Sequence, residues 1–136
     1  MDSPRHPERE ARRKGKAAKR DRKTDSAITR ARKRGDFVAI ADWFANDAIV
    51  DEARDRHCRW IRLAASRYLK DRRRAEENGA PFWFSSEWAN DACDFIEKLP
   101  HVEGKWETPE IVLHPAHVFF LVNLFGFRKL TGPILR

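Results

Sequence analysis

Between Pro115 and Gly126 the chain reads Pro-Ala-His-Val-Phe-Phe-Leu-Val-Asn-Leu-Phe-Gly. Proline's fixed φ suits a first helical turn, and glycine can take the left-handed conformation that stops a helix. A helix over this run is apolar nearly all round, and a helix without a polar face has to be buried. A chain of 136 residues is enough for one modest domain. The other apolar segments lie in the residues before it.

Those residues read mostly as helices. Phe37, Val38, Ile40, Ala41, Trp43, Phe44, Ile49 and Val50 form a compact apolar cluster, which predicts one or two short helices beginning near Asp36. His57, Trp60, Ile61, Ala64, Ala65, Tyr68 and Leu69 recur at three- and four-residue steps, a single apolar stripe. They predict a helix from about Asp51 to Glu77, stopped by Asn78-Gly79, with Trp60 in the core. Phe82-Trp83-Phe84 reads as a staple onto the core rather than a base-stacking platform. Ser85 or Ser86 can cap a following helix whose Trp88, Ala92, Phe95, Ile96 and Leu99 share a face, and Pro100 ends it. Glu110-Ile111-Val112-Leu113 predicts a short strand or an extended lead into the last helix. The fold class expected is mainly α, with one short strand near 110–113.

The charge is unevenly placed. Residues 1–35 hold 14 Lys/Arg against 5 Asp/Glu, a net of +9, and residues 36–136 hold 14 against 16, a net of −2. The two give the overall +7. Residues 1–35 have almost no large apolar side chain besides Ile28, so they cannot offset their ordering entropy by burial. We expect a basic arm over 1–35, disordered or a frayed helix that forms on contact with an acidic partner, and a helical body over 36–136. Arg12, Arg13, Lys14, Lys16, Lys19, Arg20, Arg22 and Lys23 are the candidate nucleic-acid contacts, acting on phosphates without sequence preference. The arginines of the long helix, Arg59 with Arg62 and Arg72-Arg73-Arg74, extend that footprint, partly neutralised by Asp51, Asp55 and Asp71. A solubilising tail would have the same composition.

Other chemistry finds little support. The chain has no Gly-x-x-x-x-Gly-Lys-Ser/Thr and no Gly-x-Gly-x-x-Gly, so no phosphate-cradling loop is expected in it. His57-Cys58 with Cys93 and His101 has no metal-ligand spacing, so no metal site is expected. Asp91 with Asp94, or Glu76-Glu77, reads as a solvated helix face, and no catalytic residue is assigned. Two cysteines suggest a reduced cytoplasmic setting rather than a disulfide scaffold. No apolar run reaches the roughly 18 residues of a membrane span.

The order of pieces carries more. Leu63-Ala-Ala-Ser-Arg-Tyr-Leu-Lys-Asp71 lies in the arginine-rich helix, followed by Ala92-Cys-Asp-Phe-Ile-Glu-Lys-Leu-Pro-His-Val-Glu-Gly-Lys-Trp106. Then come Leu113-His-Pro-Ala-His117 and Leu124-Phe-Gly-Phe-Arg128. In this order and spacing, over about residues 43–136, the chain resembles the segment before the ATPase core of phage terminase large subunits.

The resemblance implies part of the DNA-packaging motor of tailed phages, working in the host bacterial cytoplasm. Double-stranded DNA, the terminase small subunit and the portal are the partners it implies. It also implies ATP and Mg2+ for an ATPase and endonuclease of which this chain carries neither catalytic set, and an α/β phosphate-loop core beyond Arg136. The family usually has Leu-x-Pro-Trp-Gln at the last helix, with the glutamine reading adenine; here Ala116-His117 follows Pro115. Neutral imidazole, like an amide, presents one donor and one acceptor, so Pro115 and His117 are the candidate adenine residues. A helix-start histidine capped by local backbone is the plainer alternative. The rival functions are a stand-alone helical nucleic-acid-binding module and a helical protein-interaction adaptor.

Overall fold

The computed structural model describes residues 24–50 and 56–129. They form five helices and one small sheet: α1 over 24–33, α2 Phe37–Ile49, α3 Arg59–Arg74, β1 Phe82–Phe84, α4 Ser86–Glu97, α5 Pro115–Gly126 and β2 Phe127–Lys129. The mainly helical class expected from the sequence is what is found.

Gly35 makes the first corner. Its φ of +68 is left-handed, its N–H donates to the Arg32 carbonyl at 2.9 Å, and the Asp36 N–H donates to Ala31 at 3.0 Å. This pair of bonds closes the orphan carbonyls at the end of α1. Asp36 then caps α2, accepting from the Ala39 N–H at 3.1 Å. The Asn90 side chain on α4 accepts from Val38 at 3.0 Å, so a second orphan donor of α2 is met from across the core.

α2 is the hub. It buries Phe37, Val38, Ile40, Ala41, Phe44, Ala45 and Ala48, and it packs on α3, α4 and α5. α5 lies against α2 and α4 and buries Val118, Phe119, Val122 and Gly126, but its burial is one-sided: Phe120 and Leu124 are 63% and 60% exposed, so the all-round burial expected of an apolar helix is not met among the described residues. Aromatic rings fill the middle. Phe119 sits 5.2 Å from Phe44 and 5.4 Å from Tyr68, and Phe127 sits 5.0 Å from Phe84. Each such buried side chain contributes roughly 1.5–3 kcal/mol.

Several expectations need correction. The arm does not extend to residue 35: the described part of it, 24–33, is helical and docked, with Ala31 buried and Ile28 against the core. The arginine-rich helix begins at Arg59 and ends at Arg74, and residues 51–55 lie outside the described residues. Its stripe is narrower than the spacing suggested. Ala65 and Tyr68 are buried, whereas Trp60 is 73% exposed and not core. On α4 the inward face is Ala89, Cys93 and Ile96, one step round from the expected one, which leaves Trp88 and Phe95 exposed.

Residues 110–113 make no strand. Glu110 forms a single bridge with Pro100, and the Ile111 N–H donates to Leu99 at 3.1 Å. The sheet lies elsewhere, pairing β1 with β2 antiparallel, Phe82 opposite Lys129 and Phe84 opposite Phe127. Gly126 is helical rather than left-handed, and α5 runs straight into β2. Glycine is needed there for space: a β-carbon would lie 2.8 Å from Cζ of Phe84.

Candidate nucleic-acid interface

The eight basic residues proposed on the arm, Arg12, Arg13, Lys14, Lys16, Lys19, Arg20, Arg22 and Lys23, lie outside the described residues. The other basic element, α3, is described in full. Arg59–Arg74 carries seven Lys/Arg against the single acid Asp71, a net of +6, inside a body that is nearly neutral overall.

The fold sorts these cations by helical position. Arg72 faces inward. It donates to Asp42 at 3.0 Å and to the Tyr68 hydroxyl at 2.8 Å, and its guanidinium lies 4.0 Å from the centre of the Phe84 ring. The Tyr68 phenol donates to the same Asp42 oxygen at 2.6 Å. Burial, with the Asp42 carboxylate second, pushes the Tyr68 phenol well above its ordinary pKa of 10.0. This network ties α2, α3 and β1 together, so Arg72 is structural.

Arg62 leans over the end of α2, donating to the Ala48 carbonyl at 3.3 Å. Just before α3, Arg56 and His57 both reach Asp47, at 2.9 and 3.2 Å. The remaining cations form two flanks. Arg59, Lys70 and Arg73 lie on one and make no ion pair among the described residues. Trp60, Ala64, Arg67, Asp71 and Arg74 recur at four- and three-residue steps along the other. There Asp71 is shared by Arg67 at 3.4 Å and Arg74 at 3.7 Å. Both arginines are exposed, so these pairs are weak.

The second flank borders a cleft of about 420 Å3 between α3, α5 and the sheet, lined by Ala64, Arg67, Asp71, Phe82, Asn123 and Phe127. On the opposite face of the sheet, Arg128 lies over the exposed Trp88 ring at 4.6 Å. The Phe82-Trp83-Phe84 run is thus split by strand alternation: Phe82 and Phe84 are half-buried and Trp83 is out.

The candidate adenine residues sit at the start of α5. Pro115 occupies the first turn, and the His114 ring accepts from the Ala116 N–H at 3.2 Å and so caps the helix. His117 is exposed, its N–H bonded to the His114 carbonyl at 2.8 Å and its ring 6.1 Å from that of His114. This corner is held by Arg32, which pairs with Glu97 and donates to the Leu113 carbonyl at 2.7 Å, while Glu97 accepts from the Leu113 N–H at 2.9 Å. The structure therefore brings His117 together with His114, not with the cleft or with the basic flanks of α3. Among the described residues no group of three His, Cys, Asp or Glu side chains is placed to hold a metal ion, and no helix is long and apolar enough to cross a membrane.

Comparison of the chain with protein-family models, curated proteins and solved structures finds no match.

Sequence reasoning named the α3 arginines but ranked them below the arm. It missed the cleft, because Arg67 and Asn123 are distant in sequence and are brought to one cleft by tertiary packing, including the Tyr68–Phe119 contact between α3 and α5.

Proposed function

We propose that this chain is a nucleic-acid-contacting part of a terminase large subunit, the ATP-driven motor that packages DNA in tailed phages. The order of its sequence pieces supports the family. The net +6 of α3, with Arg59, Lys70 and Arg73 outside any ion pair among the described residues, supports the contact with DNA. Three cations on one flank of a 16-residue helix span roughly 20 Å at 1.5 Å per residue, enough to follow several phosphates of a duplex. In this reading ATP and Mg2+ belong to the motor as a whole, the small subunit and the portal are its protein partners, and the setting is the host cytoplasm. His117 beside Pro115 is the position that would face adenine there.

A stand-alone helical nucleic-acid-binding module is the second reading, because the basic flank is complete within α3. The test of the DNA contact is a fluorescence-anisotropy titration of duplex DNA across salt concentrations. Replacing Arg59, Lys70 and Arg73 together by alanine should make the log–log salt slope shallower by about 3, since each phosphate contact contributes about 0.9. Unchanged slope and affinity would take the contact away from α3 and leave it to the arm, and no binding of duplex DNA at all would leave the interaction-adaptor reading. For the family, the test is adenine-nucleotide crosslinking to His117 in a protein that also carries the phosphate loop; absence of that contact removes His117 from the reading.

A further inference from the structure

The cleft beside α3 has an aromatic floor, a cationic rim and an oriented amide. Phe82 and Phe127 supply the floor, their rings 5.9 Å apart and edge to face. Arg67 and Asp71 line the rim, and Arg74 stands beside it with its guanidinium 5.6 Å from the centre of the Phe82 ring, so the three together keep one positive charge. Lys129 is opposite Phe82 in register, so it stands on the same face of the sheet and adds a third cation. The Asn123 amide is fixed because its NH2 donates to the Phe119 carbonyl at 2.8 Å. Its Oδ1 accepts no hydrogen bond among the described residues.

These groups ask for a ligand that is flat and apolar on its faces, carries a hydrogen-bond donor at its edge, and is anionic nearby. A nucleotide has all three properties. The volume of about 420 Å3 falls in the ordinary range of small-molecule sites, roughly 300–1,000 Å3. A base inside a duplex cannot offer its face, because its neighbours cover it. A base in a single strand can, and stacking on aromatic side chains is the usual way such bases are held.

We propose that this cleft binds one unstacked nucleotide of a single DNA strand, its base against Phe82 and Phe127, its edge donating to Asn123, and its phosphate on the solvent side of Arg67, away from Asp71. The proposal rests on the reading of α3 as a nucleic-acid face: a strand following the basic helix passes the mouth of the cleft, because Arg67 is on α3 and also lines the cleft.

The test uses the full chain and a thymine oligonucleotide carrying one 2-aminopurine. Anisotropy of an end label reports binding, and 2-aminopurine fluorescence reports stacking. The parent should bind the strand and quench 2-aminopurine several-fold. Phe82→Leu, which keeps an apolar side chain in β1, should lose the quench and bind about ten-fold more weakly. Arg67→Glu, at a side chain 85% exposed, should weaken binding without changing the circular dichroism. Replacing Arg59, Lys70 and Arg73 by alanine should weaken binding yet leave the quench intact at saturation.

A bound strand with no quench, or a quench unchanged in Phe82→Leu, overturns the cleft proposal and leaves the α3 contact standing. If the strand does not bind at all, passage of a single strand along α3 fails, and the α3 reading itself is decided by the duplex titration. The cleft is then judged by adding 2-aminopurine deoxyriboside monophosphate and following the Asn123 side-chain amide by NMR. A saturable shift at that amide supports a nucleotide site independent of the helix, and no shift overturns it.

Discussion

The ring of Phe84 occupies the place where residue 126 would carry a side chain. A β-carbon on Gly126 would sit 2.8 Å from Cζ and 3.1 Å from Cδ2 of that ring. The ring has little room to retreat, because Phe127, Tyr68 and the Arg72 guanidinium surround it at 5.0, 6.4 and 4.0 Å. The same contact sets the sheet, since the Ser85 N–H donates to the Gly126 carbonyl at 2.8 Å.

Gly126→Ala should therefore destabilise the fold by about 1–3 kcal/mol, the usual cost of overpacking a filled core. Alanine's better helix propensity opposes this by up to about 1 kcal/mol. A urea midpoint equal to the parent's would show that the Phe84 ring moves freely.

Trp60 and Tyr68 lie on the same helix and should behave oppositely. Trp60→Ala removes a side chain that is 73% exposed and should change stability by no more than about 0.5 kcal/mol. Tyr68→Ala empties a site that is 1% exposed and should cost about 3–5 kcal/mol. Tyr68→Phe removes only the hydroxyl bonded to Asp42 and Arg72, and should cost about 1.5–3 kcal/mol. Chemical denaturation of the three variants checks the order, and a large loss in Trp60→Ala would contradict it.

Alkaline pH should weaken the fold through Cys93. Burial pushes its thiol up from 9.0 to about 11, a shift that the nearby Arg32 guanidinium opposes. A raised pKa means that the folded state holds the proton more tightly than the unfolded chain. The contribution is therefore full below pH 9 and is lost as pH climbs toward 11. The parent should lose roughly 2 kcal/mol more than Cys93→Ala between pH 8 and pH 11. Parallel loss in both proteins would show that the thiol does not titrate with unfolding.

Removing residues 1–23 should leave the helical signal of the body unchanged while lowering affinity for duplex DNA. If the arm neutralises about five to eight phosphates, its deletion should make the parent's salt slope shallower by about 5 to 7, on top of the share from α3. Removing 1–35 should do further damage, because it takes away the buried Ala31 and the Arg32 that holds Glu97 and Leu113. Thermal unfolding by circular dichroism separates the two deletions, and equal midpoints would show that α1 contributes nothing to the body.

Much of the helical framework could be read directly from residues. Ser85 caps α4 and Pro115 opens α5, whereas the apolar run between Pro115 and Gly126 is buried along one side only, with Phe120 and Leu124 left exposed. What failed was the choice of inward face. Trp88 and Phe95 are large and apolar, so composition put them inside, but α4 approaches α2 and α5 closely only where Ala89 and Cys93 are small. α1 was masked by its charge, although Gly35-Asp36 is a helix stop followed directly by a helix cap. The sheet was invisible because three-residue strands joined by a contact across 40 residues leave no periodic trace. The candidate site followed the same rule: the α3 arginines are local and were seen, whereas the cleft is long-range and was not.

Arg32 and Leu113 are joined across 81 residues, and Phe44 meets Phe119 across almost as many. During synthesis α2 is thus made long before the helix that covers it. At about 5–20 residues per second, its apolar face waits about 4–15 s for α5 to be added. The nascent chain spends that interval with Phe44 and Ile40 lacking their final neighbours, a window in which chaperone capture or aggregation competes with closure of the core.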